Sequence, residues 1–475
     1  MFKKYQHIHM VGIGGIGMSG IAEVLLTLGY RVSGSDVKST DVTRRLKKLG
    51  AKISLGHKAK NVGDAHVVVI SSAINDQNPE VLEAEKLHVP VVPRAEMLAE
   101  LMRLKFGVAI SGTHGKTSTT AMIGTVLHYA GLDPTLVIGG KVNSFKTNAK
   151  LGKGEVLVAE ADESDRSFLK LQPAISVITN IDAEHMEQYK TMDALTQAFV
   201  DFANKVPFYG AIVACADHPV VRALLPRFRR RVVTYGTKNA DYMVRNITQD
   251  AERISGDVWF RDEVLGRIEI EAPGKHYALN ALACVAVARE LDVPFPIIAE
   301  GFRTFQGVGR RFELLHRGNP IVVDDYGHHP VEIAATIQAA RDGWPHRRLV
   351  VVMQPHRYSR LNALFDDFVN CLTAADVVLI MDVYAAGEKP LPGCTGEKLW
   401  RHLKKICPEK EILFRPTAKD VLTTLTTLQQ PEDLILFLGA GDVTKLARDF
   451  SKTLTSRSSR LGNGRDSSAL EMKSA

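Results

Sequence analysis

An apolar run, Val108–Ala109–Ile110, passes directly into GTHGKTSTT, and this stretch constrains the chain more than any other. The run reads as the buried end of a strand. Gly112 and Gly115 free the backbone to fold over a bulky anion, and Lys116 and Thr117 then open a helix. A helix start presents unpaired N–H groups and the positive end of its dipole, which suits a triphosphate. Lys116 would neutralise the outer phosphates, and the Thr117 hydroxyl would ligate Mg²⁺. The longer phosphate-loop pattern wants a glycine where Ile110 stands, so this is the shortened form GxxGKT. The alternative is a Gly-rich turn that binds nothing; the strand–loop–helix context favours the nucleotide.

A chain of 475 residues exceeds one ordinary domain and predicts about two to four. Its net charge of +7 is no nucleic-acid signature, and the cluster RFRRR at Arg227–Arg231 reads as a solvated surface beside a helix end. Five cysteines, odd in number and without CxxC spacing, fit reduced thiols in a cytoplasm. The apolar stretch Met10–Leu28 is broken by glycines and Glu23, so no membrane insertion is expected.

Taken in order, the chain predicts three α/β domains. In residues 1–104 a short apolar strand runs into GxGxxG at Gly12, Gly14 and Gly17, and a second strand ends at Asp36. That is a Rossmann-type opening, which serves a nicotinamide dinucleotide or any other diphosphate. Residues 105–315 carry the phosphate loop in a mainly parallel sheet of the P-loop ATPase type. Glu160 closes the strand VLVAE and His185 follows the strand ending at Asn180, both placed to hold Mg²⁺ or Mn²⁺ beside phosphates. The plainer readings are a salt-bridged strand end and a helix-capping histidine. Asn280 sits among apolar residues of a helix and needs a partner, from packing or from a ligand. Residues 316–453 form a second Rossmann-like sheet, in which Arg357 and Arg360 follow a strand and can converge on a carboxylate. Residues 454–475 lack periodicity and read as a disordered tail.

Several motifs then stand in one order: GIGGIG, GTHGKTS, EADESD, TNIDAEH, GKHYALN, GVGRRFE, DDYGHHP, QPHRYSR and GAGD. With them the chain resembles the Mur ligases over roughly residues 5 to 450. The resemblance implies an ATP-dependent amide ligase of peptidoglycan precursor synthesis, with ATP and Mg²⁺ (or Mn²⁺) as cofactors. UDP-N-acetylmuramic acid and L-alanine are the implied substrates, and a weak homodimer is compatible with it. Gly14, Gly15, Gly17, Asp36, His57, Ser71 and Arg94 would bind the UDP-sugar. Gly112, Thr113, His114, Gly115, Lys116, Thr117, Ser118, Asn280, Arg311 and Asp325 would bind ATP. Thr117, Glu160 and His185 would hold the metal, and Tyr326, His328, Arg357 and Arg360 the amino acid. Lys116 and His328 are the implied catalytic pair, His328 as the amine's base. Three other readings stay open on sequence alone: a sister ligase that takes a whole peptide, an NAD-dependent oxidoreductase, and a non-catalytic ATP sensor.

Overall fold

Apolar runs alternating with amphipathic stretches produce three sheets in the computed structural model, which describes residues 6–71, 73–142, 147–150 and 152–463. The first contains β1 (His7–Val11), β2 (Arg31–Asp36), β3 (Lys52–Leu55), β4 (Val67–Ile70) and β5 (Val91–Pro93). Its order is β3-β2-β1-β4-β5 and every pairing is parallel. Strand order therefore reverses at β1, and a crevice opens at the carboxyl ends of β1 and its neighbours.

The second sheet is the largest. It comprises β6 (Phe106–Ser111), β7 (Thr135–Val142), β8 (Thr147–Lys150), β9 (Val156–Glu160), β10 (Ile175–Ile178), β11 (Ala211–Cys215), β12 (Val232–Gly236), β13 (Tyr242–Asp250), β14 (Arg253–Phe260) and β15 (Glu263–Ile270). Their order is β15-β14-β13-β12-β11-β10-β6-β9-β7-β8. β6 lies between β9 and β10, parallel to both, and Val108, Ala109 and Ile110 are fully buried. Such a continuous apolar run is what a strand covered on both faces requires.

The third sheet holds β16 (Glu313–Arg317), β17 (Ile321–Asp325), β18 (Arg348–Met353), β19 (Val377–Ile380), β20 (Glu411–Phe414) and β21 (Asp433–Leu438). β16 is an antiparallel edge on an otherwise parallel order, β16-β17-β21-β18-β19-β20. Val323, Val351 and Leu436 pack on one face, and Val322, Val350 and Ile435 on the other. The period of two sends neighbours to opposite sides, so both faces are apolar.

These sheets are distributed over two compact units. One takes residues 1–248, 255–271 and 276–308; the other takes 249–254, 272–275 and 309–475. In the first unit one core runs from Ile8 and Met10 through Ala109 and Val137 to Phe168 and Phe199. The second unit gathers its two stray segments by polar contacts. Gln249 Nε2 donates to the Ala339 carbonyl (2.8 Å), Glu252 pairs with Arg317 (2.7 Å), and Lys275 Nζ lies 3.6 Å from Asp342 Oδ2. Residue 315, where the sequence placed a domain boundary, lies inside β16, because the second unit resumes at Gly309. The tail also departs from expectation. The last helix, Val443–Asn463, carries on through Leu454, which packs with Phe450 against the third sheet and so prolongs the helix. Residues 464–475 of the expected tail lie outside those described.

One ion pair anchors the third sheet. Asp433, fully buried at the start of β21, accepts from Arg348 Nε (2.8 Å) and Nη2 (2.9 Å) and from the Gln430 amide (2.7 Å). Removing the cation strands a buried carboxylate. Arg348→Ala is expected to lower the unfolding free energy by about 3 kcal/mol, read from urea titration. A loss below about 1 kcal/mol would assign the pair to the ordinary surface class.

Candidate active site

In the first unit the phosphate loop is held in a frame. Gly112 (φ 132°) and Gly115 (φ 82°) occupy the left-handed side of backbone space. A Cβ at Gly112 would sit 2.0 Å from Thr179 Oγ1, and one at Gly115 would sit 2.9 Å from Asn280 Oδ1. Only glycine fits both places. The segment after β10 closes the frame. The His114 amide donates to Asn180 Oδ1 (2.7 Å), Thr179 Oγ1 donates to the His114 carbonyl (2.7 Å), and the Asp182 amide donates to Thr113 Oγ1 (2.9 Å). His114 and His218 flank the Asp182 carboxylate at 3.4 and 3.3 Å, and together they hold it well below the usual carboxylate range. Asn280, buried as expected, therefore packs directly over the loop.

Helix Lys116–Tyr129 opens at the loop's end, with Thr117 half-buried and Ser118 buried in its first turn. Lys116 Nζ donates to the Gly112 carbonyl (2.5 Å), the Thr113 carbonyl (3.2 Å) and both oxygens of Glu163 (2.9 Å each). Burial pulls the lysine's pKa down, but the Glu163, Asp162 and Glu160 carboxylates outweigh it and leave the pKa raised. The ammonium is a fixed charge beneath the loop. Glu163 went unnoticed in the sequence because EADESD offers four acids, and only the turn after β9 decides which one meets the lysine.

Glu160, at the end of β9, accepts from the Gly139 amide (2.7 Å). His185, with φ 60°, places Nε2 3.9 Å from Glu163 Oε1 and Nδ1 3.8 Å from Glu187 Oε1. Among the described residues, no group of three His, Cys, Asp or Glu side chains is arranged to hold a metal alone. The donor set fits Mg²⁺ even so, since that ion takes one or two carboxylates and fills its shell with phosphate oxygens and water.

The glycine turn of the first sheet opens onto the same unit. The Gly14 amide donates to Asp36 Oδ2 (2.9 Å), and the Lys38 amide to Asp36 Oδ1 (3.1 Å). Asp36, expected to bind the UDP-sugar, thus fixes the turn itself. Helix Ile16–Thr27 touches β7 and β8, and this contact builds a cleft of about 300 Å³. Gly15, Gly17, Ser71 and Arg94 line one side; Ile138, Gly139, Glu160 and Asp162 line the other. Four expected UDP-sugar residues therefore share a cleft with an expected metal ligand. His57 lies past β3, with Nδ1 2.8 Å from Ser35 Oγ.

The second unit collects a separate cluster at the carboxyl ends of its strands. Asp325 ends β17 fully buried, accepting from the amides of Phe312 and Gly327 (2.7 Å each). Burial pushes its carboxyl up to about 6, with Arg311 pulling the other way. The guanidinium carbons of Arg310 and Arg311 lie 4.7 and 5.1 Å from the centre of the Tyr326 ring. Arg311 also reaches Glu332 (3.7 Å), and His328 Nδ1 is 3.4 Å from the same carboxylate. The His328 ring lies edge-on to Tyr326 (5.1 Å) and to His356 (5.6 Å), and His356 stacks on Tyr384. Arg360 Nη1 is 3.4 Å from His356 Nδ1. Burial first, then His328, Arg360 and Arg357, push the His356 imidazole down to about 4. Arg357 does not lie within the helix that carries Arg360. It caps the helix Tyr358–Ala363 with φ 69°, its amide bound to the Tyr384 carbonyl (2.9 Å). His356 and Tyr384 were missed by sequence reasoning, although His356 adjoins Arg357 in QPHRYSR.

Three consecutive domain models of one family cover this arrangement. "Mur ligase family, catalytic domain" matches residues 7–106, "Mur ligase middle domain" 110–288, and "Mur ligase, glutamate ligase domain" 310–441. The chain belongs to the Mur ligase family. It is 54% identical to the UDP-N-acetylmuramate–L-alanine ligase of Pelobacter propionicus over 93% of this chain and 97% of the relative. It is 53% identical to the ligase of the same name from Syntrophotalea carbinolica, covering 96% and 100%. Among solved structures, the UDP-N-acetylmuramate–alanine ligase of Thermotoga maritima superposes with a TM-score of 0.80 at 30% identity, covering 95% of this chain and 99% of that one.

Proposed function

We propose that the chain couples ATP cleavage to amide formation between the carboxyl of UDP-N-acetylmuramic acid and the amine of L-alanine. The observation that carries this reading is identity above half, over nearly the full length, to ligases of that name. The sugar's lactyl carboxylate attacks the γ-phosphorus, releasing ADP and leaving an acyl phosphate. The neutral alanine amine then attacks the acyl carbon, and phosphate departs from the tetrahedral intermediate. Lys116, fixed beneath the loop, offsets the repulsion between two approaching anions. Asn280 and the Thr179–Asp182 segment keep the loop in place. The cleft lined by Arg94 and Glu160 suits a sugar diphosphate running from the glycine turn toward the γ-phosphate. Arg357 and Arg360 bind the alanine carboxylate, and His328, beside a His356 held neutral, receives the amine's proton.

Mg²⁺ would be held by Thr117, Glu160 and His185, and when bound it supplies charge neutralisation for the phosphates. Glu160→Gln keeps the shape and removes the charge, so half-maximal activity is expected to need about tenfold more Mg²⁺. An unchanged Mg²⁺ titration would make Glu160 a structural strand end. Family membership sets the oxidoreductase and sensor readings aside. Among the described residues no helix is long and apolar enough to cross a membrane; we place the chain in the cytoplasm, where its nucleotide substrates are. The deciding assay is ADP release with UDP-N-acetylmuramic acid against a panel of amino acids and one murein tripeptide. Release with L-alanine supports the proposal, whereas release with the tripeptide alone transfers it to the peptide-recycling class.

A further inference from the structure

Glu80 is a carboxylate that no step above uses, and it is completely buried. It sits in the first turn of helix Pro79–Lys86, and three other parts of the first sheet converge on it. Oε1 accepts from Asn61 Nδ2 (2.5 Å) and from the Lys58 amide (3.2 Å), which pins the loop after β3. Oε2 accepts from the hydroxyl of Ser35 on β2 (2.5 Å). His9 Nε2 of β1 and His57 Nδ1 lie 3.6 and 3.4 Å from the same oxygen. Burial raises this carboxyl's pKa, but the His9 imidazole beside it and the hydrogen bonds from Ser35 and Asn61 outweigh it and hold it at about 2. Glu80 is therefore an acceptor only.

Counting protons outward from it fixes the ring of His57. Ser35 has one hydroxyl proton, and Glu80 takes it. The Ser35 oxygen can then only accept from His57 Nδ1, 2.8 Å away. Both neighbours of Nδ1 are acceptors, so Nδ1 carries the proton and the neutral ring keeps a bare lone pair on Nε2. Among the described residues Nε2 has no partner, and it is not one of the buried polar atoms left unpaired. It is the open edge of a side chain 17% exposed. It lies past the end of β3, beside β2, whose last residue is Asp36; both sites are at the carboxyl edge where such sheets bind nucleotides.

We infer that Glu80, acting through Ser35, is a positioning residue that makes His57 a hydrogen-bond acceptor for a donor on the uridine half of the nucleotide, a ribose hydroxyl or the N3–H of uracil. This deepens the proposed function and rests on its assignment of the first sheet to a UDP-sugar. It also gives that sheet a basis for choosing its ligand. A base whose N3 is itself an acceptor, such as cytosine, would meet lone pair with lone pair, and a mismatched polar contact is rejected strongly.

The experiment uses the full chain and three probes: UDP, 2′-deoxy-UDP and 3-methyl-UDP, titrated by calorimetry. Wild type is expected to bind one of the two analogues at least about tenfold more weakly than UDP, and that analogue identifies the donor. Glu80→Gln can donate to Ser35 and reverse the relay. It should bind UDP about tenfold more weakly and no longer distinguish that analogue, with KM for ATP unmoved. His57→Gln, whose amide oxygen replaces Nε2, should retain more affinity than His57→Leu. Nitrogen-15 spectra of wild type should show His57 protonated at Nδ1 and bare at Nε2, a readout that stands even where Glu80→Gln does not fold. A proton on Nε2, or equal binding of all three probes, overturns the inference while leaving the UDP-sugar assignment in place. Failure of wild type to bind UDP overturns both.

Discussion

Lys116→Ala is expected to lower turnover by at least about 10²- to 10³-fold, the cost of leaving developing phosphate charge without a fixed counter-charge. The fold is expected to suffer too. Lys116 is the cation against the buried carboxylate of Glu163, so the single variant strands that carboxylate and should lose about 3 kcal/mol of stability. The two effects separate in a double variant. Lys116→Ala with Glu163→Gln removes both charges and should recover most of the stability while turnover stays low. Turnover within tenfold of wild type in either variant would remove Lys116 from the mechanism. If turnover instead recovers with stability in the double variant, the lysine's role is structural.

Arg357→Ala or Arg360→Ala should raise KM for L-alanine by about 10²-fold, with KM for ATP and for the UDP-sugar within about twofold of wild type. Alanine offers one methyl group, so little of its affinity can come from apolar area, and charge-assisted bonds to its carboxylate must supply the rest. Arg357 already occupies the left-handed region, and alanine there carries the same backbone cost, so the loss reports the guanidinium. Lysine at either position should rescue only in part, because it lacks the planar fork. Arg360→Ala should also let the His356 pKa rise, since one of the charges holding it down is gone. Steady-state titration of each substrate in turn is the measurement. Equal rises in all three KM values would point to misfolding, and a rise for the UDP-sugar alone would give the arginines to that substrate.

The parts of the site legible in the sequence are those set by spacing along one segment. GTHGKT specified its own loop, helix start and lysine, because the glycines and the cation act within a few residues of each other. The alternation of strands and helices likewise gave all three sheets and their mainly parallel pairing. What stayed hidden depends on pairing across long separations. The partner of Lys116 lies 47 residues away, and the frame of the loop 65 to 69 residues away. Ser35, His57 and Glu80 meet only because β2, the loop after β3 and helix Pro79–Lys86 converge. The tail misled for a related reason. Its serines and glycines lack periodicity, yet a helix already anchored by Leu446, Phe450 and Leu454 continues into them.

The two short excursions of the chain, residues 249–254 and 272–275, decide how this protein can be dissected. A fragment beginning at 309 would leave behind the glutamine that serves the Ala339 carbonyl and the carboxylate that serves Arg317, so it is an amputated unit. The amino-terminal sheet is no freer, because its apolar interior is continuous with that of the sheet that follows. Gene fusions, split-protein reporters and domain exchanges between relatives therefore meet no clean junction, since residues 249–254 run from the end of β13 into the start of β14 and cannot be moved without cutting the second sheet.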